Sequence, residues 1–181
     1  LGGSFNPAHK GHLYISDIAL KLLQLDEIWW LVSPQNPLKH DVMQNSIKKR
    51  VYSAREISKG YKIRVEDLES RFNTNLTAKT LKIILERYKG TKFIWLMGAD
   101  NLNEINKWFN WKNIFNTMPI AVFDRGVYSY SIINSIAGKR YFSKLHKRKN
   151  STSIFNKPLP SWKFIHNCKN PLSSTNIRKL M

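Results

Sequence analysis

Acidic residues are scarce: among 181 residues, twelve Asp and Glu stand against thirty Lys and Arg, a formal charge of +18. A field of that sign concentrates polyanions such as nucleotides, nucleic acid or anionic lipid headgroups, but a lysine- and asparagine-rich composition produces the same charge with no partner at all. Cysteine is nearly absent. Cys168 stands alone, which excludes an internal disulfide and suits a reducing compartment, so a cytoplasmic location is expected. No apolar run approaches the roughly 20 residues that a membrane-spanning helix needs. No signal-like segment opens the chain at Leu1, and no membrane partner is expected. What is present is 42% apolar and 12% aromatic residues, enough for a packed core rather than a disordered chain. The length suits one domain over residues 1–181. No internal repeat of solenoid period is found.

Hydrophobic period orders the chain. A glycine-rich opening, Leu1 to Gly11, leads into an amphipathic helix over His12–Leu25, and Glu27–Ser33 reads as a buried strand stopped by Ser-Pro-Gln-Asn-Pro. A helix over Asn45–Lys59 ends at Gly60, followed by a strand over Lys62–Leu68. Thr77–Tyr88 reads as a helix stopped by Gly90, and Lys92–Met97 as a strand with Gly98 at its end. Then come a short helix over Trp108–Phe115, a strand over Ile120–Phe123 and a weaker helix from Ser129 to Lys144. Ser151–Ser161 is a loop, Trp162–His166 a last strand, and Ser174 opens a closing helix. Strands alternating with helices specify an α/β fold, a parallel sheet with helices on both faces. In such sheets ligands sit beyond the carboxyl ends of the strands, so the loops after strands are where chemistry is sought.

The opening string Gly2-Gly3-Ser4-Phe5-Asn6-Pro7-Ala8-His9-Lys10-Gly11-His12 is the first of these. Two glycines let a backbone turn approach a phosphate, and a following helix offers free N–H groups and its positive dipole end. His9 and His12 are three apart, so on a first helical turn they share a face and can present two imidazoles to one phosphate. A metal pair or two surface histidines are the alternatives, but zinc needs further ligands and no such cluster is nearby, so no metal ligands are expected.

This string resembles the opening motif GGxFDPxHxGH of the HxGH nucleotidylyltransferases, matching at Gly2, Gly3, Phe5, Pro7, His9, Gly11 and His12, with Asn6 where Asp is usual. Asn keeps a turn-forming hydrogen bond and loses a charge. The resemblance implies a Rossmann-like nucleotidylyltransferase fold in which a strand immediately precedes the motif. Only Leu1 stands before it here, so the first strand is expected to be truncated at its start.

Ser173-Ser174-Thr175-Asn176-Ile177-Arg178 is the second constellation. Hydroxyls at a helix start cap its N–H groups, and Arg178 one turn on can reach an anion there; taken alone, such a string is more often an ordinary N-cap than a phosphate site. Beside the first motif it resembles the (I/V)SSTxIR signature that grips ATP phosphates, with Leu172 in the Ile/Val place. Gly98-Ala99-Asp100 follows a strand, where Asp100 can accept from ribose hydroxyls or cap the next helix. Trp108 can stack on a flat ring or fill core. Together, GAD and Lys107-Trp108-Phe109 resemble the GxD…xW(Y/F) block of bacterial nicotinate-nucleotide adenylyltransferases. Three further segments fit the same family: Ser33-Pro34-Gln35-Asn36-Pro37-Leu38-Lys39, then Leu76-Thr77-Ala78-Lys79-Thr80-Leu81 with Leu76 in the usual Tyr place, and Asp124-Arg125-Gly126 with Gly126 for Pro.

The resemblance spans residues 2 to 178 and implies adenylyl transfer from ATP to nicotinate mononucleotide, giving nicotinate adenine dinucleotide and pyrophosphate. It implies His9 and His12 at the reacting phosphate, with Gly2, Gly3, Ser4, Phe5, Gly11, Gly98, Asp100, Ser174, Thr175 and Arg178 around ATP. Asn36, Lys39, Thr77, Trp108 and Arg125 would surround the mononucleotide. Mg²⁺ is expected mainly on the ATP phosphates. A sister enzyme acting on pantetheine phosphate or nicotinamide mononucleotide shares both phosphate motifs. A basic RNA-binding domain would use the charge, including the six Lys and Arg of 139–149, but that run has no interleaved aromatic stacking platform beyond Tyr141 and Phe142 and reads as a solvated surface, so no nucleic-acid partner is expected. Homo-oligomerisation is left open.

Overall fold

The computed structural model describes residues 1–34, 45–124, 131–147 and 152–166. Two compact units divide it, one comprising the residues up to Asn75 and the other beginning at Leu76. Each is built on a three-stranded parallel sheet.

The first unit runs β1 (Gly2–Gly3), α1 (Lys10–Leu23), β2 (Ile28–Val32), α2 (Ile47–Ile57), β3 (Ile63–Glu66) and α3 (Leu68–Arg71), with its strands ordered β1-β2-β3. Each pair of neighbouring strands is parallel because a helical crossover carries the chain back to the same end. Gly2 lies opposite Leu31 and Gly3 opposite Val32, which leaves Ser4 and Ser33 side by side past the strand ends. In α1 the buried residues Ile15, Ala19 and Leu23 recur every fourth position, the stripe a core-facing helix requires. Ser16 is buried on that face and accepts a hydrogen bond from the indole Nε1 of Trp30 at 2.9 Å. The helix begins two residues before the predicted His12 because His9 caps it, and it ends at Leu23 with Gln24 in the left-handed region. Strand β3 stops at Glu66, short of the predicted Leu68, which instead opens α3. The Glu66 carboxylate accepts from Arg64 and Arg71 there.

Gly60 follows α2 with φ +81°, in open space. Strain alone is therefore the consequence of a side chain there, and Gly60→Ala is expected to cost about 1 kcal/mol in urea unfolding. An unchanged midpoint would show that the turn relaxes freely.

The second unit runs α4 (Thr77–Arg87), β4 (Trp95–Gly98), α5 (Ala99–Glu104), α6 (Trp111–Thr117), β5 (Ile120–Phe123), α7 (Ser131–Asn134), α8 (Ile136–Arg140) and β6 (Trp162–Ile165), with strand order β4-β5-β6. All four residues of β5 are buried, as befits a central parallel strand. β4 begins at Trp95, three residues after the predicted Lys92, and Gly98 is its last residue. Helix α5, which follows directly, is not apparent in the sequence pattern, and α6 starts at Trp111 rather than Trp108. The weak helix predicted from Ser129 is, among the described residues, two short ones. Ser135 caps α8, its Oγ accepting from Gly138 N–H at 3.0 Å, and a Cβ on Gly138 would lie 2.1 Å from the Ile132 carbonyl oxygen, so the chain folds back on itself there. A short 3₁₀ turn, Thr152–Asn156, occupies part of the predicted 151–161 loop.

Candidate active site

His9 is not in the first helical turn but is the N-cap of α1, with extended backbone. Its Nδ1 accepts from Gly11 N–H at 3.1 Å, while the Nδ1 of His12, three residues on, accepts from His9 N–H at 3.2 Å. This is a reciprocal capping box built from two imidazoles instead of a hydroxyl and a carboxamide. Its chemical consequence is the tautomer. A ring nitrogen that accepts an N–H carries no proton, so the hydrogen bonds assign the proton of each neutral ring to Nε2. The pair thus holds two Nε2–H donors, with ring centroids 3.9 Å apart, at the N-terminal end of a 14-residue helix, where the dipole also favours negative charge.

Both imidazoles are buried, at 5% and 8% exposure, and they rest on an aromatic base. The Phe5 ring lies 4.7 Å from His12 and stacks on Trp30 at 5.0 Å, and Trp30 is completely buried. Phe5 has φ +45°, a region costly for a side chain with a Cβ. Its packing between His12 and Trp30 and the turn through Ser4 hold it there. The two glycines lie in β1, where the Gly3 carbonyl accepts from both the N–H and Oγ of Ser33 at 3.0 and 3.1 Å. Asn6, on a cis bond to Pro7, has its Oδ1 3.4 Å from the backbone N and Nδ2 of Asn45. A carboxylate would accept the same two bonds, so the Asn6 departure preserves the tie. Gly2, Gly3, Ser4, Phe5, His9, Gly11 and His12 are therefore gathered around one strand-to-helix connection.

Sequence reasoning missed two members of this group. Trp30 read as one more aromatic in a strand. Arg50 read as one cation among thirty, yet it is 3% exposed and donates to the carbonyls of Ser4, Ser33, Pro34 and Asn45. The available signal was its place beside Val51 and Ala54 on the buried stripe of α2.

In the second unit Gly98 ends β4 and is itself the N-cap of α5, which puts Asp100 inside the first turn. The alternative in which Asp100 caps the helix is thereby removed, and its half-buried carboxylate stands where β4 gives way to helix. Thr77 is the first residue of α4, after Leu76, whose side chain makes no cap bond. Trp108, half-buried, follows the 3₁₀ turn Ile105–Lys107, and its carbonyl accepts from Trp111 N–H at 3.2 Å. The Lys79 Nζ lies 5.8 Å from the centroid of the exposed Phe109 ring, so the start of α4 and the Trp108-Phe109 turn adjoin. Asn36, Lys39, Arg125, Ser174, Thr175 and Arg178 lie outside the described residues.

The cytidylyltransferase-like family model matches residues 1–180. A protein of Ruegeria sp. named "Probable nicotinate-nucleotide adenylyltransferase" is 40% identical over 99% of this chain and 94% of its own length. One of Mesorhizobium japonicum with the same name is 37% identical over 99% of this chain and 92% of its own. Among solved structures, the Plasmodium falciparum nicotinic acid mononucleotide adenylyltransferase complexed with NaAD aligns with TM-score 0.73 at 22% identity, covering 98% of this chain and 80% of that one. The last likeness shows a shared Rossmann-like nucleotidyltransferase fold. With the paired histidines at the start of α1 and matches along nearly its whole length, the chain belongs to the cytidylyltransferase-like family and, within it, to the nicotinate-nucleotide adenylyltransferases.

Proposed function

We propose that this protein transfers the adenylyl group of ATP to nicotinate mononucleotide, releasing pyrophosphate and forming nicotinate adenine dinucleotide. The observation that carries the reading is the imidazole capping box, because it turns two buried histidines into neutral Nε2–H donors at a helix N-terminus. The 5′-phosphate of the mononucleotide attacks the α-phosphorus of ATP in line, and the bond to the pyrophosphate oxygen breaks. Both reactants already carry the reacting groups, so the protein needs no nucleophile of its own. It aligns them and stabilises charge on the phosphoryl oxygens. His9 and His12 donate to that charge at the α-phosphate and the bridging oxygen. Ser4 and Phe5 contribute backbone donors, Gly11 keeps its N–H on His9 Nδ1 and so aims that ring, and Asp100 accepts from the ribose. Ser174, Thr175 and Arg178 are assigned to the outer phosphates, and Asn36, Lys39, Thr77, Trp108 and Arg125 to the mononucleotide, on the strength of their motifs.

Among the described residues no group of three or more His, Cys, Asp or Glu side chains is placed to hold a metal ion. A magnesium ion carried on the phosphate oxygens of ATP requires no such group and would supply charge neutralisation there. Also among the described residues, no helix is long and apolar enough to cross a membrane. The reading takes the reaction to occur in the cytoplasm, with both compact units serving one catalytic domain.

The test is pyrophosphate release from ATP and Mg²⁺ with nicotinate mononucleotide, nicotinamide mononucleotide and pantetheine phosphate in turn. The nicotinate form is expected to give the highest kcat/KM. Trp108→Ala is expected to raise the KM for nicotinate mononucleotide about tenfold, the value of a lost ring stack, with the KM for ATP unchanged. Preferential turnover of either other acceptor would replace this reading.

A further inference from the structure

The guanidinium of Arg50 is tied to four backbone carbonyls and lies at the carboxyl ends of two adjacent parallel strands. Nη1 donates to Ser4, one residue past β1, at 2.6 Å, and to Ser33, one residue past β2, at 2.7 Å. Nη2 donates to Pro34 at 2.6 Å, and Nε donates to Asn45 at 2.9 Å. The side chain is buried, and that burial lowers its pKa from the ordinary arginine value. A guanidinium sunk among carbonyls is a costly way to fill space, since an apolar residue of α2 would cover the same strands without desolvating a charge.

What the four bonds accomplish follows from peptide geometry. In a trans peptide the C=O and the following N–H point in opposite directions, so holding the Ser4 oxygen toward Arg50 directs the Phe5 N–H away from it. Phe5 is the residue of the motif with positive φ, a conformation that the chain does not keep unaided. The same guanidinium holds Ser33, whose N–H and Oγ both donate to the Gly3 carbonyl. It also holds Asn45, whose backbone N–H and side-chain amide lie 3.4 Å from Asn6 Oδ1. Both routes return to the loop that leads into the His9–His12 box. Pro34 and Asn45 are moreover the residues on either side of 35–44.

We propose that Arg50 is a positioning residue for the transfer reaction: its planar fork fixes the Ser4–Pro7 phosphate loop against the ends of β1 and β2, so that the loop's donors are pre-aimed at the triphosphate. This rests on the function proposed above. A lysine cannot replace it, because one ammonium cannot reach four carbonyls that diverge around a plane.

The experiment compares wild type, Arg50→Lys and Arg50→Ala, with every rate expressed per folded active site from titration and circular dichroism. Arg50→Lys is expected to lower kcat by about tenfold and Arg50→Ala by about 100-fold, the scale set by ångström-sized misplacement of a reacting group. Affinity for a non-hydrolysable ATP analogue, measured by calorimetry, should fall in the same order. Millimolar guanidinium chloride should restore kcat to Arg50→Ala, while sodium chloride at equal ionic strength should not. A merely structural arginine would reduce the folded fraction and leave kcat, KM and analogue affinity per folded site unchanged; that result overturns the proposal. If wild type turns over another acceptor in place of nicotinate mononucleotide, the function proposed above fails and the Arg50 comparison is read with that acceptor. If no acceptor is turned over, analogue affinity decides it.

Discussion

His12→Asn is expected to lower kcat by about 100- to 1,000-fold, the usual effect of removing one donor to a developing oxyanion, with little change in the thermal midpoint. The choice of asparagine follows from the capping box. Nδ1 of His12 accepts from His9 N–H at 3.2 Å, and a side-chain amide oxygen can take that role at nearly the same distance along the chain, while nothing in asparagine replaces the Nε2–H. Alanine would confuse two effects. It would lose the cap acceptor, worth about 0.5–2 kcal/mol, and the ring packing 4.7 Å from Phe5 and 5.8 Å from Trp30. Steady-state rates alongside circular dichroism separate the two. A kcat for His12→Asn within a few-fold of wild type would remove His12 from the chemistry and leave it as a cap.

Trp30→Ala is expected to cost about 3–5 kcal/mol of stability, as large-to-small changes of buried aromatics do, the largest effect anticipated for a residue outside the reaction itself. Trp30 has no exposed surface, stacks on Phe5 and donates its indole N–H to Ser16 in α1. Its loss opens a cavity under Phe5, whose positive φ depends on tight surroundings, so the activity that survives should be lower per folded molecule as well. Trp30→Phe keeps a six-membered ring against Phe5 but loses the bond to Ser16 and part of the packed volume, and about 1–3 kcal/mol should be lost, chiefly for the unpartnered buried hydroxyl. Urea unfolding measures both. A change below 1 kcal/mol for the alanine variant would mean that the base of the histidine pair is supported elsewhere.

The elements most readable in the sequence are those with strong local signals. Ile120–Phe123 is uninterrupted and apolar, and β5 has those bounds. α2 and α4 fall inside their predicted spans, and Gly60 and Gly90, predicted as stops, have φ +81° and +86°. The misses are elements without such signals. α5 is six residues of ADNLNE, polar and too short for a period, held because Ala99 and Leu102 are buried. The split between α7 and α8 falls at Ser135, whose Oγ donates to the Ile132 carbonyl and accepts from Gly138 N–H, with no room for a Cβ on Gly138; that close approach is not encoded by helix propensity.

The candidate site divides in the same way. Residue type and spacing by themselves determined a Gly-Gly turn running into paired histidines, an arrangement suited to a phosphate because that chemistry needs particular groups at particular intervals along one backbone; the motifs leading to Trp108 pointed to the mononucleotide only through their resemblance to a known family. Only the tertiary structure decided which nitrogen of each histidine carries the proton, that Asp100 lies within a helix rather than capping it, and that Arg50 ties Ser4 to Ser33 past the ends of β1 and β2. The last of these depends on hydrogen bonds between atoms distant in sequence, Arg50 to Ser4 spanning 46 residues; the first two depend on backbone geometry at the starts of helices, where His9 N–H meets Nδ1 of His12 and Gly98 caps α5. The amino-acid order carries them only through the folded packing.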